Sequence, residues 1–220
     1  QLDAWFAKTA QKQYTRTVLF STVYDILSQV VFRIKPSVRA AYRDQDDTVG
    51  ASLISVYNKL NGVETHTSAE LVRYSATALQ PLITQLEGER SPWLPGYHVK
   101  ILDGNCIEAS EHRLTVLREV QAGALPGKSL VVYEPTYGVV SDVFPCEDGH
   151  AQERAMLGQV LETVQPRDLW IQDRNFCTCA FLCGIETRGA GFITRQHAGL
   201  PFAGRTSWRA SGRIETGHVA

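Results

Sequence analysis

A change of hydrophobic period near residue 97 constrains the fold of this chain more than any other feature. Before it, apolar residues recur at helical spacing. In the stretch 15–34 they fall at Val18, Leu19, Val23, Ile26, Leu27, Val30 and Val31, one face of a 3.6-residue repeat. Pro36 stops that run. A second helix is predicted over 46–60, through Val49, Leu53, Val56, Tyr57 and Leu60, with Asn61-Gly62 ending it. A third starts near Thr67 or Ser68, with Ser68 as a cap ahead of Glu70, and carries a kink at Pro81. The segment SPWLPGY at 91–97 is rich in Pro and Gly and reads as a linker.

Beyond residue 97 the apolar runs are short and strand-like. HVKILDGN reads as a buried strand ending in Asp103-Gly104. KSLVVYEPTYGVVSDVFP reads as a hairpin, with strands 130–133 and 139–144 around a turn. CEDGHAQERAMLGQVLETV is a helix with Asp148 as N-cap and Met156, Leu157, Val160, Leu161 and Val164 inward. DLWIQDRN is a further short strand, ending in Asp173. FCTCAFLCGIETRG is a helix stopped by Gly189, and AGFITRQ a last strand. The order β-β-β-α-β-α-β predicts an α/β domain, a mixed sheet with helices on its faces. Two regions follow: helical 1–97 and an α/β core over 98–195.

Composition narrows the class. At 44% hydrophobic, 20% charged and a net charge of −1, the chain is too apolar to stay disordered. No stretch approaches the ~18 apolar residues of a membrane span, and QLDAWFAKTAQKQY lacks the pattern of a signal peptide. Five cysteines are odd in number and too few for a disulfide framework, which points to reduced thiols and a cytoplasmic location. The first residue is Gln1, the only Met is Met156 and GRIETGHVA stops in mid-pattern, so a piece of a longer protein is expected.

Charge is segregated. From Arg188 onward there are five Arg (188, 195, 205, 209 and 213) against one acid, Glu215, a balance of +5 − 1 = +4. All six Lys lie at or before Lys128. An arginine-only stripe suits phosphate recognition; a solvated surface is the plain alternative.

The chemistry lies in two strands that end alike, ILDGN at Asp103 and WIQDRN at Asp173. Sites in open α/β sheets sit at the carboxyl ends of strands. On parallel neighbours ~4.8 Å apart, two carboxylates repel unless a cation lies between them. Mg²⁺ prefers such hard oxygens and keeps positions for phosphate oxygens, so the pair points to metal-assisted phosphoryl transfer. Taken singly, an Asp after a strand is as readily a turn residue or a helix cap.

The stretches ILDGN, LPGKSLVVYEP, VSDVFPCEDGHAQER, LWIQDRNFCT and RQHAGLP, in that order, resemble the DDE transposases of the insertion-sequence-four group. The likeness covers roughly 95–220 strongly and the helical part more loosely. It implies an RNase-H-like core, with Asp103 and Asp173, 173 − 103 = 70 residues apart, as the first two catalytic acids. It also implies that 196–220 is the truncated start of a β-rich insertion. Their implied role is to hold two Mg²⁺ (or Mn²⁺) for cutting transposon-end DNA and for strand transfer by the freed 3′-hydroxyl. The resemblance further implies double-stranded DNA as partner, both transposon ends and target, a homodimer on paired ends, and a bacterial, nucleoid-associated cytoplasmic location. The family's later Tyr-Arg-Glu-Lys pattern is absent: no Tyr follows Tyr137 and no Lys follows Lys128. The third acid is therefore expected to be cut off, with Glu108 a remote stand-in, and this chain alone is expected not to cleave.

Around this pair, Arg174 and Asn175 either hold the scissile phosphate or cap a helix and orient Asp173; Asn105 has the same two readings. DNA contacts are expected from Arg174, Asn175, Arg195, Arg205, Trp208 and Arg209. Trp208 either stacks on an unpaired base or packs in a β-segment. Glu147, Asp148 and His150 read as a helix-start cluster, Glu153 and Arg154 as a surface pair, and His112-Arg113 as a solvated connection. Cys177, Cys179 and Cys183, with His197 downstream, read as buried structural cysteines, against a zinc site. Besides the enzyme, two other functions are carried forward: a non-catalytic DNA-binding relic and a zinc-stabilised interaction module.

Overall fold

The computed structural model describes residues 1–12, 17–45, 49–106, 127–146, 151–197 and 199, with the backbone of 212–214 and 217–219. The helical region holds α1 (Leu2–Thr9), α2 (Phe20–Val31), α3 (Val38–Arg43), α4 (Leu53–Asn61) and α5 (Thr65–Gln85). Ser37 and Ser52 cap α3 and α4, accepting the amides of Ala40 and Ser55. The apolar stripe of α2 meets α3 and α4 in a core of Val18, Val23, Ile26, Ala41, Tyr42, Val49 and Val56. The sequence pattern does not reveal α1, because this helix docks through one buried residue rather than a stripe. Phe6 stacks on Phe20 at 4.3 Å between ring centroids.

One expectation for the long helix changes. α5 begins at Thr65 with Glu64 as its cap residue. Ser68 lies inside the helix, its hydroxyl donating to the Glu64 carbonyl at 3.4 Å. The helix runs through Pro81 to Gln85, as expected.

The second region is a five-stranded sheet of β1 (His98–Cys106), β2 (Lys128–Glu134), β3 (Val139–Cys146), β4 (Asp168–Gln172) and β5 (Gly191–Thr194), in spatial order β3-β2-β1-β4-β5. β1, β2 and β3 pair antiparallel, whereas β1-β4 and β4-β5 pair parallel. A 3₁₀ turn (Glu153–Met156) leads into α6 (Leu157–Thr163) between β3 and β4, and α7 (Cys179–Thr187) connects β4 to β5. Thr178 caps α7, and Gly189, at φ 72°, supplies the left-handed residue after it. The expected mixed α/β sheet with helices is therefore present.

Leu102, Leu130, Val132, Phe144 and Trp170 point to one face, where they meet Met156, Leu157 and Val160 before and along α6 and Phe181 and Ile185 of α7. On the other face a register row runs Val140, Tyr133, Ile101, Ile171, Ile193; its two ends, Val140 and Ile193, are exposed. The helical region joins the sheet where α5 lies along β3. There Arg73 donates to Asp142 at 2.6 Å, its guanidinium 5.5 Å from the Phe144 ring centroid. This contact also covers an edge strand, which otherwise exposes unpaired backbone groups. Residues 212–214 and 217–219 form a separate antiparallel pair. Among the described residues no helix is long and apolar enough to cross a membrane.

Candidate metal-binding end of the sheet

The parallel register of β1 and β4 pairs Leu102 with Gln172. Asp103 and Asp173 are thus the next residues on neighbouring strands, which lie about 4.8 Å apart. Leu102 and Gln172 are buried while both aspartates are exposed, as strand alternation requires. The register brings the two positions that the sequence singled out to the same end of adjacent strands.

Their settings differ. β4 ends at Gln172, and the chain leaves the sheet at Asp173, as expected. β1 instead continues past Gly104 to Cys106, because β2 still pairs with it: Asp103 faces Val131 and Gly104 faces Leu130. Asp103 therefore stands within a strand, at the point where β4 no longer runs beside it. Its Oδ1 accepts the Gly104 amide at 2.8 Å.

Asp173 is the N-cap of a 3₁₀ turn over Arg174–Phe176. The backbone amides of Arg174 and Asn175 hold its carboxyl below the usual carboxylate range, against a smaller desolvation effect, and the charges of Arg195 and Arg174 act in the same direction as the amides. The group is a carboxylate at neutral pH, with lone pairs left for another ligand. Among the described residues neither Asp103 nor Asp173 forms an ion pair.

Glu153 and Arg154, read from the sequence as a surface pair, both reach Asn175 instead. Glu153 Oε2 accepts from Asn175 Nδ2 at 2.7 Å, and Arg154 Nε donates to the Asn175 carbonyl at 2.6 Å. The Glu153 carboxylate lies directly over Gly104. Only the absence of a side chain at residue 104 allows that approach, and "DGN" at the end of an apolar run reads in sequence as an ordinary turn. The sequence offered no other signal for Glu153.

Of the other expected site residues, Arg174 and Arg195 are exposed beside Asp173, and Asn105 is exposed at the end of β1. Arg205, Trp208 and Arg209 lie outside the described residues, as do Glu108, His112, Arg113, Glu147, Asp148 and His150. The cysteine reading needs correction: Cys177 is buried, but Cys179 and Cys183 are exposed. Residue 179 opens α7 and 183 lies one turn on, so both fall on its solvent side while Phe181, Leu182 and Ile185 face inward.

Among the described residues no three of His, Cys, Asp and Glu gather as a metal group. Two exposed, adjacent carboxylates nevertheless suit Mg²⁺, which is held by one or two carboxylates together with substrate phosphates. A cavity of about 250 Å³ lies elsewhere, between α5 and the sheet, lined by Arg73, Lys100, Asp142 and Trp170 among others and by neither site aspartate. Both aspartates are exposed. A comparison with protein-family models gives no match, and neither does one with curated proteins.

Proposed function

We propose that this chain carries the metal-dependent DNA-cutting core of a DDE transposase of the insertion-sequence-four group, with Asp103 and Asp173 as the two acids that hold Mg²⁺. The observation that carries this reading is the Leu102–Gln172 register: Asp103 and Asp173 each follow directly on the last paired residues of two adjacent parallel strands, which supports a shared site. The strand order β3-β2-β1-β4-β5, with an antiparallel β1-β2-β3 half and parallel β4 and β5, supports an RNase-H-like core. Exposure of both carboxylates supports a macromolecular substrate, double-stranded DNA, over a small one. Mg²⁺, when bound, supplies a Lewis acid at a phosphodiester. The residues of the chain hold it, and Asp173 remains charged through its two backbone amides. Arg174 and Arg195 add positive potential beside the pair, where a phosphate backbone needs neutralising. A homodimer that pairs two DNA ends fits the same reading.

The test is Mg²⁺-dependent cutting of DNA that carries the ends of the encoding element, by the protein of the complete reading frame. Changing Asp103 and Asp173 together to Ala is expected to abolish cutting while DNA binding persists; undiminished cutting by that double variant defeats the proposal. A second reading, a DNA-binding relic, draws on the finding that only two acids meet among the described residues. It predicts salt-sensitive DNA binding and no cutting by the complete protein.

A further inference from the structure

We propose that Glu153 is a positioning residue for the Asp103–Asp173 site: seated over Gly104 and holding Asn175, it ties the strand that bears Asp103 to the turn that aims Asp173. The inference rests on the cation-site reading above and deepens it.

The turn after Asp173 is three residues long, and its first residue is exposed. A single 3₁₀ turn has little cooperativity of its own. Asn175, at its centre, is held through three groups. Its amide donates to Asp173 Oδ2 at 3.4 Å, its side chain to Glu153 Oε2 at 2.7 Å, and its carbonyl accepts from Arg154 Nε at 2.6 Å. The first bond is long. The two short ones involve ionised groups, which make the stronger hydrogen bonds. The orientation of the Asp173 carboxylate is thus set from outside its own turn, by the segment that follows β3.

Glu153 is itself located by β1. A Cβ at residue 104 would fall on its carboxylate. Because 104 is glycine, Glu153 settles against the strand one residue from Asp103. A continuous path then runs from Asp103 through Gly104, Glu153 and Asn175 to Asp173, without using the backbone pairing of β1 and β4. Glu153 is not a third ligand in this arrangement. Consecutive strand residues face opposite sides, and the Cβ direction of Gly104 leads to Glu153 while Asp103 points away. Outer partners of this kind orient metal ligands, and their loss typically weakens metal binding about 10–100-fold.

The experiment measures Mn²⁺ affinity by electron paramagnetic resonance, with thermal melting alongside, on the chain and on E153A, E153Q, N175A, D103A and D173A. E153A is expected to weaken Mn²⁺ binding about tenfold or more with little change in melting, and E153Q, which keeps an acceptor for Asn175, to recover most of the affinity. Loss of binding in D103A and D173A with wild-type affinity in E153A overturns the inference and leaves the cation site standing. Wild-type affinity in D103A and D173A overturns the cation site, and the inference with it. Should E153A melt early, N175A decides. That variant removes the same bond from the other side, and wild-type affinity in it overturns the inference.

Discussion

Two pairs of aspartates in the same α/β region live under opposite rules. Asp142 on β3 and Asp168 at the start of β4 are 9% and 1% exposed, and each has a cation: Arg73 at 2.6 Å for the first, Lys100 at 3.5 Å for the second. Asp103 and Asp173 are exposed, form no ion pair among the described residues, and accept hydrogen bonds from backbone amides. Burial pushes the Asp142 carboxyl upward, with Arg73 opposing, whereas backbone amides draw that of Asp173 downward. A buried acid must be paired or its desolvation destabilises the fold. An exposed acid can be left with open lone pairs at little cost. The buried pair therefore fastens α5 to β3 and β1 to β4, and the exposed pair keeps lone pairs open to solvent.

Breaking the buried pairs has the largest expected effect. Arg73→Ala leaves the buried Asp142 with the Val143 amide at 2.8 Å but no paired cation, and removes the Arg73–Asp142 link between α5 and β3. It should lower unfolding free energy by about 3 kcal/mol, the low end for a broken buried pair because Arg73 is itself partly exposed. Urea unfolding measures this; a loss below about 0.5 kcal/mol, the range of ordinary surface changes, would erase the distinction. Lys100→Ala leaves Asp168 with the Gln165 amide at 2.8 Å, and about 2 kcal/mol is expected for a buried acceptor that loses a partner. By contrast, Asp103→Asn and Asp173→Asn should each change stability by no more than about 0.5 kcal/mol, yet abolish Mn²⁺ binding.

The smallest effect is a pH slope. With its carboxyl raised on folding, Asp142 binds a proton in the folded chain at pH values where the unfolded chain has lost it. Its contribution therefore makes stability fall as pH rises from the ordinary carboxylate value through the raised one. Asp173, lowered on folding, contributes stability that is present above the ordinary carboxylate value and lost as pH falls below it. Asp142→Asn should flatten the first component and Asp173→Asn the second, read as melting temperature across pH 2 to about 6.

How much could be read in advance depends on the range of the interaction. Strands β1 to β5 and helices α6 and α7 were legible because short apolar runs and the Met156–Leu157–Val160 stripe report local geometry directly, although α6 starts at Leu157 after a 3₁₀ turn and not near Asp148. The pairing of Asp103 with Asp173 was half legible. The matching strand ends are in the sequence, but their register comes from the parallel β1–β4 ladder. Among the features not legible were α1, held by Phe6 and Trp5 against Phe20 and Tyr74 and by Asp3 on Ser21; the short helix α3; the continuation of β1 through Gly104; the seat of Glu153; and the Arg73–Asp142 link between residues 69 apart in sequence. Each depends on what lies across from a residue, and periodicity carries no trace of that. The cysteines of α7 misled for the same reason, since residue type alone favoured burial while the helix turned Cys179 and Cys183 outward.

The sequence by itself determined where strands and helices form and which two aspartates close apolar runs, because backbone propensity and hydrophobic period act over a few residues. Only the tertiary structure decided the register that pairs Leu102 with Gln172 ahead of those aspartates, the bond between Glu153 and Asn175, and the anchoring of α5 on β3. Strand order and register follow from burying one shared core, a condition the whole chain satisfies at once.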